Sequence, residues 1–302
     1  MSDDPTVAVV GSYNVGLTMT VPRFPVPGET VSDGEFFEVA GGKGSNQAVA
    51  AARLGASTRF VGRVGDDGYA ADAREMWAAE GVDDAHVSTD SDEHTGAGFV
   101  VVDESGENMI TVAPGANHEL DADDVRAARD AIADADALLC QMEIPDGAIA
   151  AAVEVAAESD TTVVFNPAPA RAIPAGVLAD VDYLTPNRSE ARVLVGADPE
   201  ADVDDEAVAR ELLERGVGAV VMTLGADGAL VVTERGTERV PTVDVDVVDT
   251  TGAGDAFNGA LAVALSEGLS VADAAEFACR AGALATTEAG VVPGLPSRDA
   301  VE

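Results

Sequence analysis

The residues best placed to do chemistry lie in one stretch near the C-terminal end, Asp249-Thr250-Thr251-Gly252-Ala253-Gly254-Asp255-Ala256-Phe257-Asn258-Gly259-Ala260. The β-branched run 243–248 before it predicts a strand, and the alanine-rich run 256–265 after it predicts a helix. The glycines therefore fall where a strand turns into a helix. There the first helical N–H groups lack intrahelical partners and the dipole is positive, so an anion is favoured. Glycine removes the Cβ that would keep a phosphate from the backbone. Asp255 is at odds with a bare phosphate site, because it brings negative charge to the same helix start. A base that takes a proton from a group attacking the phosphate resolves the conflict.

A second glycine-rich helix entry occurs early, at Ala40-Gly41-Gly42-Lys43-Gly44-Ser45-Asn46-Gln47, followed by a helical run to residue 54. It is not a Walker A loop, because Gly44 follows Lys43 where Ser or Thr is required and Phe37 stands five residues before Gly42. Nor does the chain carry GxGxxG: after Gly252-Ala253-Gly254 the third glycine position is Phe257. Three glycines with Lys43 and Asn46 suggest a tight loop gripping a polar small molecule. Several predicted strands also end in a polar residue or glycine: Asn14, Glu143, Asn166, Asn187, Thr223 and the Gly252 loop. In an open α/β sheet, ligands bind beyond the carboxyl ends of the strands. Glu143 follows the apolar Leu138-Leu139-Cys140 and needs a hydrogen-bond partner, which a hydroxyl-rich ligand would supply.

The elements that must position these residues follow an alternating pattern. Strands are predicted at 6–11, 58–64, 137–141, 161–165, 183–184, 219–222, 228–233 and 239–240. Helices are predicted at 70–80, 121–133, 146–158, 189–195, 204–214, 256–267 and 271–285. Repeated βα units imply a mostly parallel sheet covered on both faces. Two excursions interrupt it. Short strands at 17–21, 30–31 and 35–39 are broken by Pro22, Pro25, Pro27 and Gly28, and a hairpin spans 96–102 and 108–112. Together they predict a small sheet of four or five strands apart from the α/β body, suited to act as a lid, a dimer surface, or both.

Composition bounds the rest. The 302 residues are 47% hydrophobic and hold room for a sizeable core. No run of 18 apolar residues predicts a membrane span, and the acidic residues 1–5 carry no leader signature. Cys140 and Cys279 have no CxxC spacing and read as free buried thiols of a cytoplasmic protein. The formal charge of −38 argues against nucleic acid or an anionic membrane as partner. The chain contains one lysine, Lys43, against 16 arginines. High Asp and Glu with lysine nearly eliminated predicts a protein kept soluble in molar salt, where the Debye length is only ~3 Å.

These motifs, in this order, resemble the ribokinase family of carbohydrate kinases over essentially the whole chain, roughly residues 7–296. The resemblance rests on Gly41-Gly42-Lys43-Gly44-Ser45-Asn46 and Asp249-Thr250-Thr251-Gly252-Ala253-Gly254-Asp255. It extends to Gly11-Ser12-Tyr13-Asn14, Phe24-Pro25-Val26-Pro27-Gly28-Glu29-Thr30, Asn166-Pro167-Ala168-Pro169-Ala170, Thr185-Pro186-Asn187 through Glu190, and Thr223-Leu224-Gly225. The Gly42-Lys43-Gly44 form and the Asn-Pro-Ala-Pro-Ala stretch look most like the ribokinase branch itself.

The resemblance implies one α/β domain with a Rossmann-like, mostly parallel sheet and helices on both faces. It also implies a β-sheet lid from about 15–40 and 95–113 that pairs homodimers. It implies ATP-dependent phosphorylation of the primary hydroxyl of a sugar, ribose first among candidates. Asp255 would be the catalytic base, and Gly252, Ala253 and Gly254 an anion hole. Asn14, Gly42, Lys43, Asn46, Glu143 and Asp255 would hold the sugar. Asn187, Thr223, Gly225 and Gly254 would contact ATP, and Glu190 would act on Mg²⁺ through water. Asp249, Thr251 and backbone carbonyls near Thr286, Ala289 and Val291 would hold a monovalent cation such as K⁺. Two positions depart from the family pattern. Gly16 stands where an aspartate usually binds sugar hydroxyls, and Gly294 where a serine usually completes the cation site. Kinases for deoxyribose, fructose, a sugar phosphate or a nucleoside stay open, as does a non-catalytic sugar- or nucleotide-binding regulator.

Overall fold

The computed structural model describes residues 4–174 and 176–302. Of the acidic N-terminal segment read as lacking a leader, residues 1–3 lie outside the described residues. The chain opens with β1 (Thr6–Val10), β2 (Asn14–Val21), β3 (Glu35–Gly41), α1 (Lys43–Arg53), β4 (Ser57–Gly65), α2 (Gly68–Glu80), β5 (Val82–Asp90), β6 (Gly96–Asp103) and β7 (Asn108–Ala113). It continues through α3 (Ala122–Ala127), α4 (Arg129–Ala133), β8 (Ala137–Gln141), α5 (Asp146–Ala157), β9 (Thr162–Asn166), β10 (Tyr183–Leu184), α6 (Arg188–Leu194) and α7 (Asp205–Leu213). It ends with β11 (Ala219–Thr223), β12 (Ala229–Thr233), β13 (Gly236–Val240), α8 (Ala253–Ser266), α9 (Val271–Ala285), α10 (Val291–Gly294) and α11 (Arg298–Val301).

Nine strands form the main sheet in the order β13-β12-β11-β10-β9-β8-β1-β4-β5. Every pairing from β5 across to β11 is parallel, and the terminal β12–β13 hairpin runs antiparallel. The central strands are apolar on both faces, as a sheet covered on both sides requires. Val7, Val9, Leu139, Val164 and Val221 face a core closed by α1, α2, α8 and α9. Ala8, Val10, Leu138, Val163 and Val220 face a second core closed by α3 to α7. The mostly parallel sheet with helices on both faces is the architecture that the alternating pattern predicts.

The second sheet has four strands in the order β3-β2-β6-β7. Its strands pair Asn14 with both Gly41 and Gly96, so its root lies at the carboxyl end of β1, beside the main sheet. The strand predicted at 30–31 does not form: those residues are coil after the turn at 27–28 and pair with no strand, so the sheet has four strands rather than five.

Three further differences concern the main body. Residues 243–248 form no strand. The sheet ends at β13, and the segment instead runs against α9: the Thr242 hydroxyl donates to the Cys279 carbonyl at 3.1 Å, and Val248 N–H to the Thr286 carbonyl at 2.7 Å. The helix predicted at 121–133 is two short helices separated at Ala128. The first is held by a capping box between Asp121 and Asp124. Finally β5, an acidic segment with no strong strand signature, forms the edge strand beside β4. Its Asp83 and Asp84 lie on an open sheet edge, where charge discourages pairing with another chain.

Two helices carry the chemistry-bearing loops, and their mutual approach sets the site. A Cβ at Gly259 would stand 2.6 Å from the Ala50 Cβ and 3.0 Å from the Ala51 nitrogen, so only glycine lets α8 come this close to α1. Trp77 of α2 is fully buried and donates its indole N–H to the Ser45 hydroxyl at 2.8 Å, tying α2 to the first turn of α1. Its ring packs edge-on to Tyr13, with centroids 5.3 Å apart.

Candidate active site

The loop before α8 is pinned at three points. Val248 N–H and Asp249 N–H both donate to the Thr286 carbonyl at the end of α9, at 2.7 and 3.1 Å. One oxygen of Asp249 accepts from the Thr251 amide (2.9 Å) and hydroxyl (2.7 Å), the other from the Gly290 amide at 3.0 Å. These bonds outweigh its burial and hold the Asp249 carboxyl below the usual carboxylate range. Gly252 then takes a left-handed conformation (φ 84°) as the N-cap of α8 and offers no capping side chain. Ala253 N–H reaches the Thr250 carbonyl at 3.3 Å. The Gly254 and Asp255 amides have no acceptor among the described residues. Two free N–H groups at the positive end of a 14-residue helix leave donors available to an anion.

Asp255 is only 7% exposed. Asn46 Nδ2 donates to one of its oxygens at 2.9 Å and Gln47 Nε2 to the other at 3.0 Å. Burial raises the Asp255 pKa. Lys43, Asn46 and Gln47 oppose the rise, Glu143 adds to it, and the net shift is upward. Burial pulls Lys43 down, but the carboxylates of Asp255, Glu143 and Glu190 outweigh it and leave the lysine above its usual value. The chain's one lysine is thus a fixed positive charge serving three carboxylates. Asn46 Oδ1 is buried and has no partner, a state that costs free energy until a donor arrives.

Glu143 follows β8. One of its oxygens accepts from the Ser12 hydroxyl and from the Lys43 backbone N–H at 2.9 Å. Asn14, at the root of the small sheet, accepts on Oδ1 from Asn117 Nδ2 at 3.0 Å, so its own amide donors are left for another partner. Asn117 is 1% exposed and also bonds Tyr13 N–H, the Tyr13 carbonyl and the Pro114 carbonyl. Nothing in the sequence singles out Asn117, which looks like one more polar turn residue. The fold makes it the clasp between the root of β2 and the exit of β7.

Two cavities flank this constellation. One, of about 660 Å³, is lined by Asn14, Asn117, His118, Glu143 and Arg171, among others. The Arg171 guanidinium is committed to Asp146 and to the Ile144 carbonyl. The other, of about 410 Å³, is bordered by Thr223, Gly225, Val243, Val247, Gly254 and Cys279, among others. Asn14 and Glu143 therefore open on the first cavity, and Thr223, Gly225 and Gly254 on the second. Gly42, Lys43, Asn46 and Asp255 form the bonded bridge between them.

Asn187 and Glu190 lie at the start of α6, where they form a capping box: Asn187 Oδ1 accepts from Glu190 N–H and Glu190 Oε2 from Asn187 N–H, each at 2.8 Å. Asn187 also bridges to Thr223 across the ends of β10 and β11. Burial raises the Glu190 pKa against the pull of the Asn187 amide and Lys43. A cation near its free oxygen would relieve that cost. The residues matched to a monovalent-cation site, Asp249, Thr251, Thr286, Ala289 and Val291, fall together around the pinned loop, with the negative end of α9 pointing at them. A side chain at Gly294 would stand 2.6 Å from the Ala285 carbonyl oxygen, so this position has no room for the serine usual there.

Comparisons with known proteins give the family of the chain. Residues 4–298 match the model of the pfkB family of carbohydrate kinases, and the chain belongs to that family. It is a sugar kinase. It is 38% identical over 294 residues to ribokinase of Haemophilus influenzae, spanning 97% of this chain and 96% of that one. The fold is similar to that of ribokinase from Thermotoga maritima, with a TM-score of 0.88, 36% identity and 98% of each chain covered. It is similar also to ribokinase of Arabidopsis thaliana complexed with ribose and ATP, with a TM-score of 0.91 and 31% identity over 99% of this chain and 97% of that one.

Proposed function

We propose that this kinase transfers the γ-phosphoryl group of ATP to the primary hydroxyl of ribose. The observation that carries the reading is the junction of α1 and α8. It sets a buried carboxylate with a raised pKa, Asp255, beside two unpartnered helix-start amides and an unpartnered acceptor, Asn46 Oδ1. That is a proton acceptor and an anion cradle in the first turn of α8, with a hydroxyl-binding oxygen on the α1 side chain bonded to the acceptor.

In this mechanism Asp255 takes the proton of the primary hydroxyl as that oxygen attacks phosphorus. The free amides of Gly254 and Asp255, which follow Gly252 and Ala253 at the start of α8, stabilise charge on the phosphoryl oxygens. Asn14, Gly42, Lys43, Asn46 and Glu143 hold the sugar, and Asn187, Thr223, Gly225 and Gly254 hold the nucleotide at the cavity beside α8. Mg²⁺, when bound, neutralises phosphate charge, and Glu190 would hold it through water. K⁺ would be held by Asp249, Thr251 and the carbonyls of Thr286, Ala289 and Val291. The small sheet would close over the sugar and exclude water.

One observation favours a second acceptor. Cross-strand register places Val39, Gly16, Gly98 and Val112 in one row across the small sheet, and the row presents no polar side chain. The one close contact of a Cβ at Gly16 is Val39 Cγ2 at 2.7 Å, the tip of a half-exposed side chain, and a Cβ at Gly98 meets nothing within 4 Å, so the row is open and simply lacks a hydroxyl-binding side chain. A sugar lacking one hydroxyl on that side, such as deoxyribose, forfeits nothing there.

The test is an ATP-consumption screen in molar KCl with ribose, deoxyribose, fructose, fructose phosphate and nucleosides. Ribose is expected to give the highest kcat/KM. Deoxyribose ahead of ribose would establish the second reading, and no turnover with any acceptor would leave a binding protein. Chelation of Mg²⁺ is expected to abolish turnover, and replacing K⁺ by a bulky organic cation to lower it. Turnover indifferent to either change would remove that ion from the site.

The small sheet also carries exposed apolar side chains, including Phe37, Phe99, Met109, Ile110 and Val112, which are 47 to 61% exposed. The register puts Phe37, Ile110 and Val112 on one face and Phe99 and Met109 on the other, so both faces are apolar. Exposed apolar surface of this kind marks an association surface, and we assign it to a homodimer. Ile110→Asp is expected to convert a dimer to a monomer in sedimentation, and unchanged mass would place any association elsewhere. No described helix is long and apolar enough to cross a membrane. We place the enzyme in the cytoplasm, where ATP is available, which cell fractionation checks.

A further inference from the structure

Behind the base lies a chain of buried amides that the proposed mechanism does not use. Gln47 Nε2 donates to Asp255 Oδ1 at 3.0 Å and to Asn166 Oδ1 at 3.1 Å, while Gln47 Oε1 accepts from Gln141 Nε2 at 2.6 Å. Asn166 Nδ2 donates to the Thr185 carbonyl at 3.1 Å. The Thr185 hydroxyl donates to Asn258 Oδ1 at 2.5 Å, and Asn258 Nδ2 to the Gly254 carbonyl at 2.8 Å. Gln47 and Gln141 are fully buried, and Thr185 and Asn258 are 1% exposed.

The bonds have one direction, and the base dictates it. An ionised carboxylate only accepts, so Gln47 must turn its nitrogen to Asp255. Its oxygen then faces away and requires a donor, which fixes Gln141. The Gln141 oxygen in turn is left without a partner, against Gly11, where a Cβ would stand only 2.2 Å away. An orphaned buried oxygen is costly. The fold tolerates it at the far end of the chain, where it leaves the Gln141 donor aimed at Gln47 and the Gln47 donor aimed at Asp255. The other branch closes on the first turn of α8, so the same amides that face the carboxylate also brace the peptide that bears the anion-binding N–H of Asp255.

We propose that Gln47, backed by Gln141, is a positioning residue for phosphoryl transfer: it fixes the orientation of the Asp255 carboxylate and keeps it ionised inside a buried site. The inference rests on Asp255 being the base. A hydrogen bond to the charged form favours that form, and so opposes the desolvation that favours protonation. The charged groups around Asp255 are Lys43 on α1, Glu143 after β8 and Glu190 on α6. None of them is touched by a change at Gln47.

The experiment compares wild type, Gln47→Met, Gln141→Met and Asp255→Asn. It reads the pH profile of kcat/KM for the sugar and, separately, the titration of Asp255 by carboxyl ¹³C NMR, its resonance assigned by its loss in Asp255→Asn. Gln47→Met is expected to lower kcat about 10-fold at neutral pH, to leave the KM for ATP unchanged, and to move the acid limb and the Asp255 titration upward by about one pH unit. Gln141→Met, which does not touch Asp255, is expected to shift both in the same direction by less, because Gln47 loses the donor that fixes its orientation. It also serves as the test if Gln47→Met does not fold. A lower Tm with a wild-type acid limb and a wild-type Asp255 titration would make the amides structural and overturn the proposal. Near-normal turnover in Asp255→Asn would instead overturn the base assignment itself, so the two failures are distinguishable.

Discussion

Asp255→Asn is expected to lower kcat by at least ~10²-fold while ATP binding largely survives. The substitution keeps the shape of the side chain and removes the proton acceptor. The fold should accept it. Asp255 accepts one bond from Asn46 and one from Gln47, and an asparagine there keeps one acceptor and presents one N–H₂ group. Asn46 has a buried Oδ1 with no partner, so turning its amide over would satisfy the new donor. Loss of the carboxylate leaves Lys43 with Glu143 and Glu190, so no buried charge is stranded. The cavity proposed for the nucleotide is lined by Gly254 and Ala253 but not by Asp255, which is why nucleotide affinity should hold. Steady-state turnover, with nucleotide binding measured by calorimetry, checks both halves. Turnover within a few-fold of wild type would sink the assignment of Asp255 as base.

Gly252→Ala is expected to cost ~10²- to 10³-fold in kcat, the loss seen when a donor to a developing anion is removed. Two effects coincide at this position. The backbone has φ 84°, a conformation that costs an L-residue roughly 1–2 kcal/mol. A Cβ would also stand 2.6 Å from Val291 Cγ1, 3.2 Å from Val291 Cβ and 3.3 Å from Val291 Cα. Rotating the Val291 side chain relieves only the first contact, so the loop or α10 must shift. The free amides of Gly254 and Asp255 lie two and three residues on, and a misplacement of about 1 Å at a reacting centre can cost ~10²-fold. Gly268→Ala is the matched control. It has φ 82° but no atom within 4 Å of its Cβ, and it lies past the far end of α8. It should lower Tm and leave kcat unchanged. Equal losses of kcat in the two variants would mean that the Gly252 effect is one of stability alone.

How far the sequence reaches can be judged at particular residues. The glycine-rich helix entries were legible because they combine local rules: a left-handed cap tolerates only glycine well, and free N–H groups at a helix start attract an anion. Asp255 was legible because it contradicts those rules, and such contradictions mark functional sites. The alternating apolar runs gave the mostly parallel sheet, since strands buried on both faces cannot show a polar side. Residues 243–248 misled for the same local reason. Their β-branched character suits any extended backbone, but no strand lies beside them, and hydrogen bonds to α9 take the segment instead.

Sequence alone thus determined the chemistry-bearing loops, their residue types and their order along the chain, because turn geometry and helix-start electrostatics act over a few neighbouring residues. Tertiary structure decided which groups face one another. Gln47 sits in an alanine-rich helix and Gln141 at the end of an apolar strand. Neither has a local feature that marks it; Gln47 met Asp255, with Gln141 behind it, only when Gly259 let α8 settle onto α1. Asn117 acquired its role as a clasp across 104 residues of chain. Hydrogen bonds between side chains so far apart depend on backbone separations of a few tenths of an ångström. Close packing of the helices on the sheet fixes those separations, and no local pattern records them.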